Sequence, residues 1–164
     1  MQRTCFCKNN MGKIKVRWAN IKDAYKIAYL ELRSARFENR LYPLDIPLNL
    51  FERTWQDRIS SGEYITIVGT VDGELAGFLS LYRSIKSGDI CCLYIDPLYF
   101  RKGVGQRLMR TAELMVRRKG GKKLKVEVEV LNFGAQQFYE RLQFKSVSVK
   151  LSHLIIMIKE LQHA

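Results

Sequence analysis

A change in hydrophobic period near residue 96 constrains the fold of this chain more than any other feature. Before it, three strand-like stretches separated by Gly-containing turns predict an antiparallel meander over residues 64–95. After it, apolar residues recur at helical spacing over 103–119, and a further strand-like stretch occupies 124–131. A strand, a helix and a strand over this distance predict a right-handed crossover between parallel strands. The chain therefore combines an antiparallel sheet with one parallel pair.

The flanking segments extend this sheet and add helices. Alternating residues at 13–18 predict a first strand, and apolar spacing predicts helices at 21–34, capped by Asn20, and at 48–60. A short helix at 133–142 and a closing hairpin over 144–158 complete the order. We predict an α/β fold with a mostly antiparallel sheet of six to seven strands and about four helices. The length of 164 residues suits one domain, 11–164, preceded by a flexible lead at 1–10.

The composition is that of a globular protein without metals or membrane segments. Hydrophobic residues make up 47% and charged residues 27%, which excludes disordered and collagenous classes. The four Cys and two His lack ligand spacing, so no metal site is expected. No apolar run approaches the roughly 18 residues that cross a bilayer, and no signal peptide is evident, so we expect a cytoplasmic protein without a membrane partner.

The positive charge is concentrated in one segment. The chain has 28 Lys and Arg against 16 Asp and Glu, a net charge of +12. Residues 101–125 contain ten basic residues and the single acidic Glu113, which accounts for +9 of that excess. A local patch of this strength indicates an anionic ligand or partner.

Two glycines lie inside this basic segment, between the predicted strand and helix. Gly103 and Gly105 can let successive backbone N–H groups point inward at the positive end of the helix dipole, which suits a pyrophosphate. A bare tight turn is the alternative. A Walker-type loop is excluded because no Gly-Lys-Ser/Thr follows, and the dinucleotide fingerprint lacks its third glycine.

This region resembles the cofactor-binding motif of the GNAT superfamily of acetyl-CoA-dependent N-acetyltransferases. Ile95-Asp96-Pro97 and Gly103-Val104-Gly105 match the family pattern, whereas Phe100 replaces its usual Gln or Arg and is followed by Arg101. A second block, residues 132–144, resembles the family's Asn- and Tyr-containing helix, with Gln143 in place of a glycine. The order of elements from about residue 13 to 160 also matches. The resemblance implies that acetyl-CoA, as co-substrate, contacts these positions: Tyr94, Ile95, Phe100, Arg101, Lys102, Gly103, Val104, Gly105, Gln106 and Asn132.

Acetyl transfer to an amine needs a base, an oxyanion donor and an acid for the departing thiolate. The resemblance implies that Tyr139 is the acid and that a backbone N–H at Tyr94 or Ile95 binds the oxyanion beside a bulge in the fourth strand. Glu127 resembles the base of the ribosomal-protein-type N-terminal acetyltransferases, and Asp89 falls where histone-type members carry a glutamate. Core packing is the alternative for Tyr139, and a solvated strand face is the alternative for Glu127. Because transfer is direct, Cys91 and Cys92 are not expected to act as nucleophiles.

The acceptor is an amine of open identity. Aromatic and acidic residues between and within the first two helices suit a cation, although a solvated loop would look the same; they are Phe37, Glu38, Tyr42, Asp45 and Glu52. A short final hairpin connection near Leu151 leaves room for a peptide, which favours a protein N-terminus or lysine over a polyamine or amino sugar. A domain that binds acyl-CoA without catalysis and a basic nucleic-acid-binding module also stay open, although the chain has no nucleic-acid readout motif to favour the latter. We expect a monomer or homodimer.

Overall fold

The computed structural model of the protein describes residues 12–37, 47–83 and 87–161. Within these residues the chain forms seven strands and four helices in the predicted order. The strands are β1 (Ile14–Trp18), β2 (Tyr64–Val71), β3 (Glu74–Tyr82), β4 (Gly88–Ile95), β5 (Lys123–Glu129), β6 (Lys145–Lys150) and β7 (Leu154–Glu160). The helices are α1 (Ala24–Phe37), α2 (Leu48–Ser60), α3 (Val104–Arg118) and α4 (Phe133–Arg141), with short 3-10 turns at Ile21–Asp23 and Pro97–Tyr99.

The strands form one sheet in the order β1-β2-β3-β4-β5-β7-β6. Every neighbouring pair is antiparallel except β4 and β5, which are parallel and joined through α3. The predicted meander, crossover and closing hairpin are therefore confirmed. The final hairpin inserts β7 beside β5, which leaves β6 at the edge of the sheet.

The helices cover the two faces of the sheet unequally. On one face, α1 and α2 pack over β2, β3 and β4 through Trp55, Val68, Phe78 and Tyr94, which are all buried. On the other face, the apolar side of α3 packs over the centre of the sheet through Leu108, and Tyr139 of α4 joins the same core. Among the helices in the described part of the chain, none is long and apolar enough to span a membrane.

A capped turn anchors α1 to the first strand. The Asn20 side chain accepts a hydrogen bond from the Lys22 backbone N–H, and the Asp23 carboxylate accepts one from the Asn20 backbone N–H. Arg17 of β1 donates two hydrogen bonds to the same carboxylate, at 2.7 and 2.8 Å. The Arg17 guanidinium holds the pKa of Asp23 below its usual value, against the opposing effect of burial. This capping box fixes where α1 begins.

One extra residue in β4 changes which side chains face each helix layer. Leu81 of β3 lies opposite Ile90, but its neighbour Ser80 lies opposite Cys92, so Cys91 is the additional residue of a β-bulge. Ile90 before the bulge and Leu93 after it both pack against the α3 side of the core, whereas Cys92 packs on the α1 side. The bulge thus inverts the alternation of side chains halfway along the strand.

Candidate active site

The parallel strands β4 and β5 diverge beyond the bulge. They pair over three positions, which are Gly88 with Leu124, Asp89 with Lys125, and Ile90 with Val126. The rest of β4, from Cys91 to Ile95, and the rest of β5, from Glu127 onward, have no mutual register. Since the two strands start side by side and then separate, a gap opens through the sheet at their carboxyl ends.

The segment after β4 leads from this gap into α3. Asp96 is buried, accepts a hydrogen bond from the Leu98 N–H at 2.9 Å and lies 3.1 Å from Arg33 of α1. Ser34 of α1 donates a hydrogen bond to the Ile95 carbonyl. These contacts hold the end of β4 against α1. The Ile95-Asp96-Pro97 motif therefore has a structural role in this chain, because it stabilises the turn at which the loop begins.

The loop places the first N–H groups of α3 at the gap. Gly103 caps the helix with φ of 83°, a left-handed conformation that favours glycine, and Arg101 has φ of 60°. The Arg107 N–H donates to the Gly103 carbonyl, which is the first bond of the helix. The N–H groups of Val104, Gly105 and Gln106 therefore have no acceptor within the helix. They form the positive end of its dipole, which suits an anion.

Gly105 lies where a side chain would close the site. A Cβ at this position would be 3.1 Å from the Phe138 ring of α4, tighter than ordinary packing. The absence of a side chain lets α3 and α4 approach each other while leaving the helix backbone accessible. Glycine is therefore required at the two positions for different reasons. Gly103 adopts a left-handed backbone conformation, and Gly105 leaves space for the Phe138 ring.

A cleft of about 800 Å³ opens between the loop, α3 and α4. This volume lies within the range of sites that hold small molecules and cofactors. Its lining residues come from the end of β4, the loop, the start of α3 and α4: Leu93, Ile95, Tyr99, Phe100, Arg101, Lys102, Gly103, Val104, Gly105, Gln106, Asn132, Gly134, Ala135, Phe138, Tyr139, Arg141 and Leu142.

Helix α4 forms the wall of the cleft next to β5. Asn132 caps it by accepting a hydrogen bond from the Ala135 N–H at 3.0 Å, and Gln136 donates to the Val130 carbonyl at 2.7 Å. Tyr139 is 5% exposed and makes edge-to-face contacts with Phe138 and Phe144, each at 5.3 Å between ring centroids. Its ring is therefore held firmly while it still lines the cleft.

The predicted carboxylates lie on the opposite face of the sheet. On β5, the buried side chains of Leu124, Val126 and Val128 point toward α3, so Glu127 points toward the α1 side. Its Oε1 atom accepts a hydrogen bond from Lys150 Nζ of β6 at 3.0 Å. Glu127 is the first β5 residue beyond the last pair with β4. It therefore stands at the gap, across the sheet from the cleft that Tyr139 lines.

Asp89 occupies a different position on the same face. It lies opposite Lys125 in the paired part of the strands, with 3.7 Å between its carboxylate and Lys125 Nζ. Asp89 lies near the start of β4, roughly 20 Å along the strand from Ile95 at its carboxyl end. The geometry thus brings Glu127 to the gap and leaves Asp89 near the closed end.

A buried polar group borders the same face between α1 and α2. The Trp55 indole donates a hydrogen bond to the Glu31 carboxylate at 2.7 Å, and both residues are buried. Burial raises the pKa of Cys92 well above its ordinary value, and the Glu31 carboxylate adds to this effect. Burial also raises the pKa of Cys91 to about 11. Both cysteines are therefore protonated thiols at neutral pH.

Most predicted cofactor residues converge on one cleft. All of them line it except Tyr94, whose ring packs against Phe78 on the other face, with 5.5 Å between ring centroids. The resemblance implicates only the backbone N–H of Tyr94. Glu52 is a half-buried residue of α2 that accepts a hydrogen bond from Gln56. Glu38, Tyr42, Asp45 and the Phe37 side chain lie outside the described part of the chain, as does the predicted lead at 1–10.

Several lining residues were missed in the sequence. The apolar spacing predicts Leu93 and Phe138 to be core residues, and Arg141 has the pattern of an exposed residue at the end of a helix. The signal that could have found Phe138 is its place one residue before Tyr139 in the second motif block. Nothing in the sequence marks Leu93 as the residue that emerges from the bulge. No group of three His, Cys, Asp or Glu side chains that could hold a metal occurs among the described residues.

These features define a class of protein. They are those of a protein that binds a phosphate-bearing ligand, because a glycine loop and a helix N-terminus lie beside two diverging parallel strands. The model of the Acetyltransferase (GNAT) family matches residues 21–144, so the chain belongs to the GNAT family. It is accordingly an acetyl-CoA-dependent N-acetyltransferase, as the sequence predicted.

The chain resembles several N-acetyltransferases at low sequence identity. The chain is 23% identical over 128 residues to a candidate ribosomal protein bS18-alanine N-acetyltransferase of Bacillus subtilis strain 168, covering 74% of this chain and 85% of the relative. The ribosomal-protein-S18-alanine N-acetyltransferase of Escherichia coli superposes with a TM-score of 0.73 at 19% identity, over 93% of this chain and 96% of that one. The PaiA N-acetyltransferase of Thermoplasma acidophilum, solved with coenzyme A, gives 0.72 at 21% identity, over 90% and 99%. Similarity at this level establishes a shared fold.

Proposed function

We propose that this enzyme transfers the acetyl group of acetyl-CoA directly to a primary amine of a protein or peptide, at an N-terminus or a lysine. The observation that carries the proposal is the gap between β4 and β5. It joins the cofactor cleft on the α3 side to the carboxylate-bearing face on the α1 side. A donor on one face and an acceptor on the other can therefore meet without an acyl-enzyme.

The loop and the start of α3 hold the coenzyme's pyrophosphate in this proposal. The N–H groups of Val104, Gly105 and Gln106 face it at the positive end of the helix dipole. Arg101 and Lys102 line the same cleft and supply two cations. The β4 edge beyond Ile90 faces the gap, so an extended arm can run beside it as an added strand. Acetyl-CoA supplies the thioester carbonyl that the amine attacks.

Tyr139 donates its phenolic proton to the departing sulfur. The amine nitrogen forms a bond to the carbonyl carbon, and the bond from that carbon to sulfur then breaks. A thiolate that leaves beside α4 needs a proton donor in this part of the cleft. Tyr139 lines the cleft here, and its ring is held in place by packing against Phe144. The Tyr94 or Ile95 backbone N–H, beyond the β4 bulge, donates a hydrogen bond to the oxyanion.

Glu127 accepts the proton that the amine loses, directly or through a water. A lysine ammonium has a pKa near 10.4 and an N-terminal ammonium one of about 8, so at neutral pH either attacking group must first lose a proton. Glu127 stands at the gap on the acceptor face, and its hydrogen bond with Lys150 fixes its orientation. Asp89 is the second candidate for the base, because it lies where β4 and β5 are still paired, next to Lys125.

Features of the acceptor face favour a peptide over a small metabolite. The β6–β7 turn is short, with Leu151 and Ser152 both at positive φ, so it adds little wall to that side. The Glu127 side bears the half-buried apolar residues Leu154 and Ile156 of β7. An apolar strip beside acidic groups suits a short extended segment that carries a cationic amine.

A thiol-release assay over a panel of acceptors tests the proposal. Peptides with free N-termini and lysine-containing peptides with blocked N-termini are compared with polyamines and amino sugars. We expect one of the peptide groups to give the highest kcat/KM. Preferential turnover of a polyamine or amino sugar would overturn the peptide assignment while leaving the family assignment intact. A reaction without enzyme is the control for uncatalysed transfer.

A further inference from the structure

A second groove, separate from the cofactor cleft, runs between β1 and the outer side of α3. It encloses about 770 Å³ and shares no lining residue with the cleft. Its lining residues are Lys13, Ile14, Lys15, Val16, Arg17, Thr70, Gly73, Arg107, Arg110, Thr111 and Leu114. Nothing in the transfer chemistry uses this groove.

The groove combines an apolar floor with cationic walls. Ile14 and Val16 are half-buried against the core, and Leu114 is 54% exposed. Lys13, Lys15, Arg107 and Arg110 are exposed, and in the described part of the chain no Asp or Glu lines the groove. Arg17 is already engaged by Asp23. Four cations therefore face solvent around one depression.

The positive surface continues along α3. At helical spacing, Arg117 and Arg118 lie on the same side of α3 as Arg107 and Arg110, opposite the buried Ala112. The stripe from Arg107 to Arg118 is about 17 Å long. None of Arg110, Arg117 and Arg118 lines the cofactor cleft, so one coenzyme does not account for them.

The nearby carboxylates do not neutralise this stripe. Glu113 of the same helix is half-buried and bonds Lys159 of β7 at 2.7 Å. Glu74, in the β2–β3 hairpin, lies 3.7 Å from Lys26 of α1. Asp72 is exposed at the turn of that hairpin, at one end of the groove. The basic side of α3 is therefore available to a polyanion.

We propose that this groove and the α3 stripe bind the sugar-phosphate backbone of single-stranded RNA. Cations along a groove suit the phosphates of an extended strand, and an apolar floor accepts unpaired bases, which a duplex would hide. Trp18 follows Ile14 and Val16 on the same sheet face and is 58% exposed, so it offers a stacking surface. The uncharged polar side chains of the described groove are Thr70 and Thr111. The Thr111 hydroxyl already donates a hydrogen bond to the Arg107 carbonyl, so it can accept one from a ribose 2′-hydroxyl.

Fluorescence anisotropy with labelled oligouridylate tests the proposal on the full chain. The double variant Arg110→Gln/Arg117→Gln is compared with Arg53→Gln/Lys145→Gln, which removes two exposed cations from α2 and β6. We expect the first variant to bind at least about tenfold more weakly and to lower the slope of log affinity against log salt by about 1.4, since each phosphate contact contributes about 0.7. Trp18→Ala should weaken binding about fivefold or more. The control should bind as the wild type does.

Four binding results would each overturn the proposal. They are no oligouridylate binding at low salt, equal loss in the control variant, equal affinity for oligothymidylate, and equal affinity for polyglutamate. The thermal shift given by acetyl-CoA is measured on the same variants. Its loss in Arg110→Gln/Arg117→Gln would assign the stripe to the coenzyme and also contradict an RNA site. Acetyl transfer to a free peptide in the absence of RNA should stay at the wild-type rate.

Discussion

Lys150 Nζ of the edge strand lies 3.0 Å from Glu127 Oε1, at the point where β4 and β5 separate. Both side chains are about one-third to one-half exposed, so the pair is worth little to stability. Its value lies in orientation, because a carboxylate held at the gap can meet an amine that approaches from the α1 side. Removal of the carboxylate charge tests that role.

Replacing Glu127 by Gln should lower kcat about 10²-fold, because the side chain keeps its shape but accepts no proton. The Asp89→Asn variant should retain activity within about threefold, since Asp89 lies in the paired part of the strands. Steady-state rates with a peptide acceptor over a range of pH check both variants. If Asp89→Asn causes the larger loss, the assignments of the two carboxylates must be exchanged.

The Tyr139→Phe variant should lose turnover without losing stability. The ring contacts with Phe138 and Phe144 remain, and only the hydroxyl is removed. We expect kcat to fall about 10²-fold, with an unchanged KM for acetyl-CoA. Unaltered turnover in a folded variant would leave the proposed acid without support.

Replacing Gly105 by Leu should abolish stabilisation by acetyl-CoA. The new side chain would meet the Phe138 ring and fill the space above the helix N-terminus. The matched control is Gly134→Ala, which changes another lining glycine, where the added Cβ would lie 3.9 Å from Asn132 Oδ1. Thermal denaturation with and without acetyl-CoA provides the measurement. A normal shift in Gly105→Leu would place the coenzyme elsewhere.

The ion pair of Asp23 makes a stability contribution that depends on pH. Because Arg17 lowers the pKa of Asp23 in the folded protein, the contribution is complete above the ordinary value of 3.8 and is lost as the pH falls through the folded-state pKa. Asp23→Asn should cost about 1–2 kcal/mol at pH 7, since it also weakens the capping box. The exposed Asp57→Asn should cost under about 0.5 kcal/mol. In urea titrations, the difference between wild type and Asp23→Asn should shrink below about pH 4; a constant difference would contradict the ion pair.

The thiols of Cys91 and Cys92 should be unreactive in the folded protein. Burial raises the pKa of Cys91 to about 11 and that of Cys92 well above its usual value, so little thiolate exists at neutral pH. Alkylation of Cys91 and Cys92 by iodoacetamide, followed at each residue by peptide mass spectrometry, should be far slower in the folded protein at pH 7.5 than in the unfolded chain. The Cys91→Ala/Cys92→Ala variant should retain acetyl transfer within about threefold. Loss of all activity in a folded double variant would point to a covalent intermediate.

Local chemistry determined much of this protein. Helical and strand periods depend on neighbouring residues alone, so the order of elements could be read from the sequence and is confirmed. Gly103 and Asn132 are likewise local signals, one for a left-handed cap and the other for an N-terminal cap. The clustering of charge in residues 101–125 was also visible, because it needs only counting.

Only the tertiary structure decided how the site is arranged. The bulge at Cys91 arises from register between β3 and β4, and the divergence after Ile90 arises from pairing between β4 and β5. Neither depends on residues close in sequence, so no period could predict them. The same pairing puts Glu127 and Tyr139 on opposite faces of the sheet and separates the basic groove from the cofactor cleft. The sequence established which groups were present, and long-range strand pairing decided which of them meet.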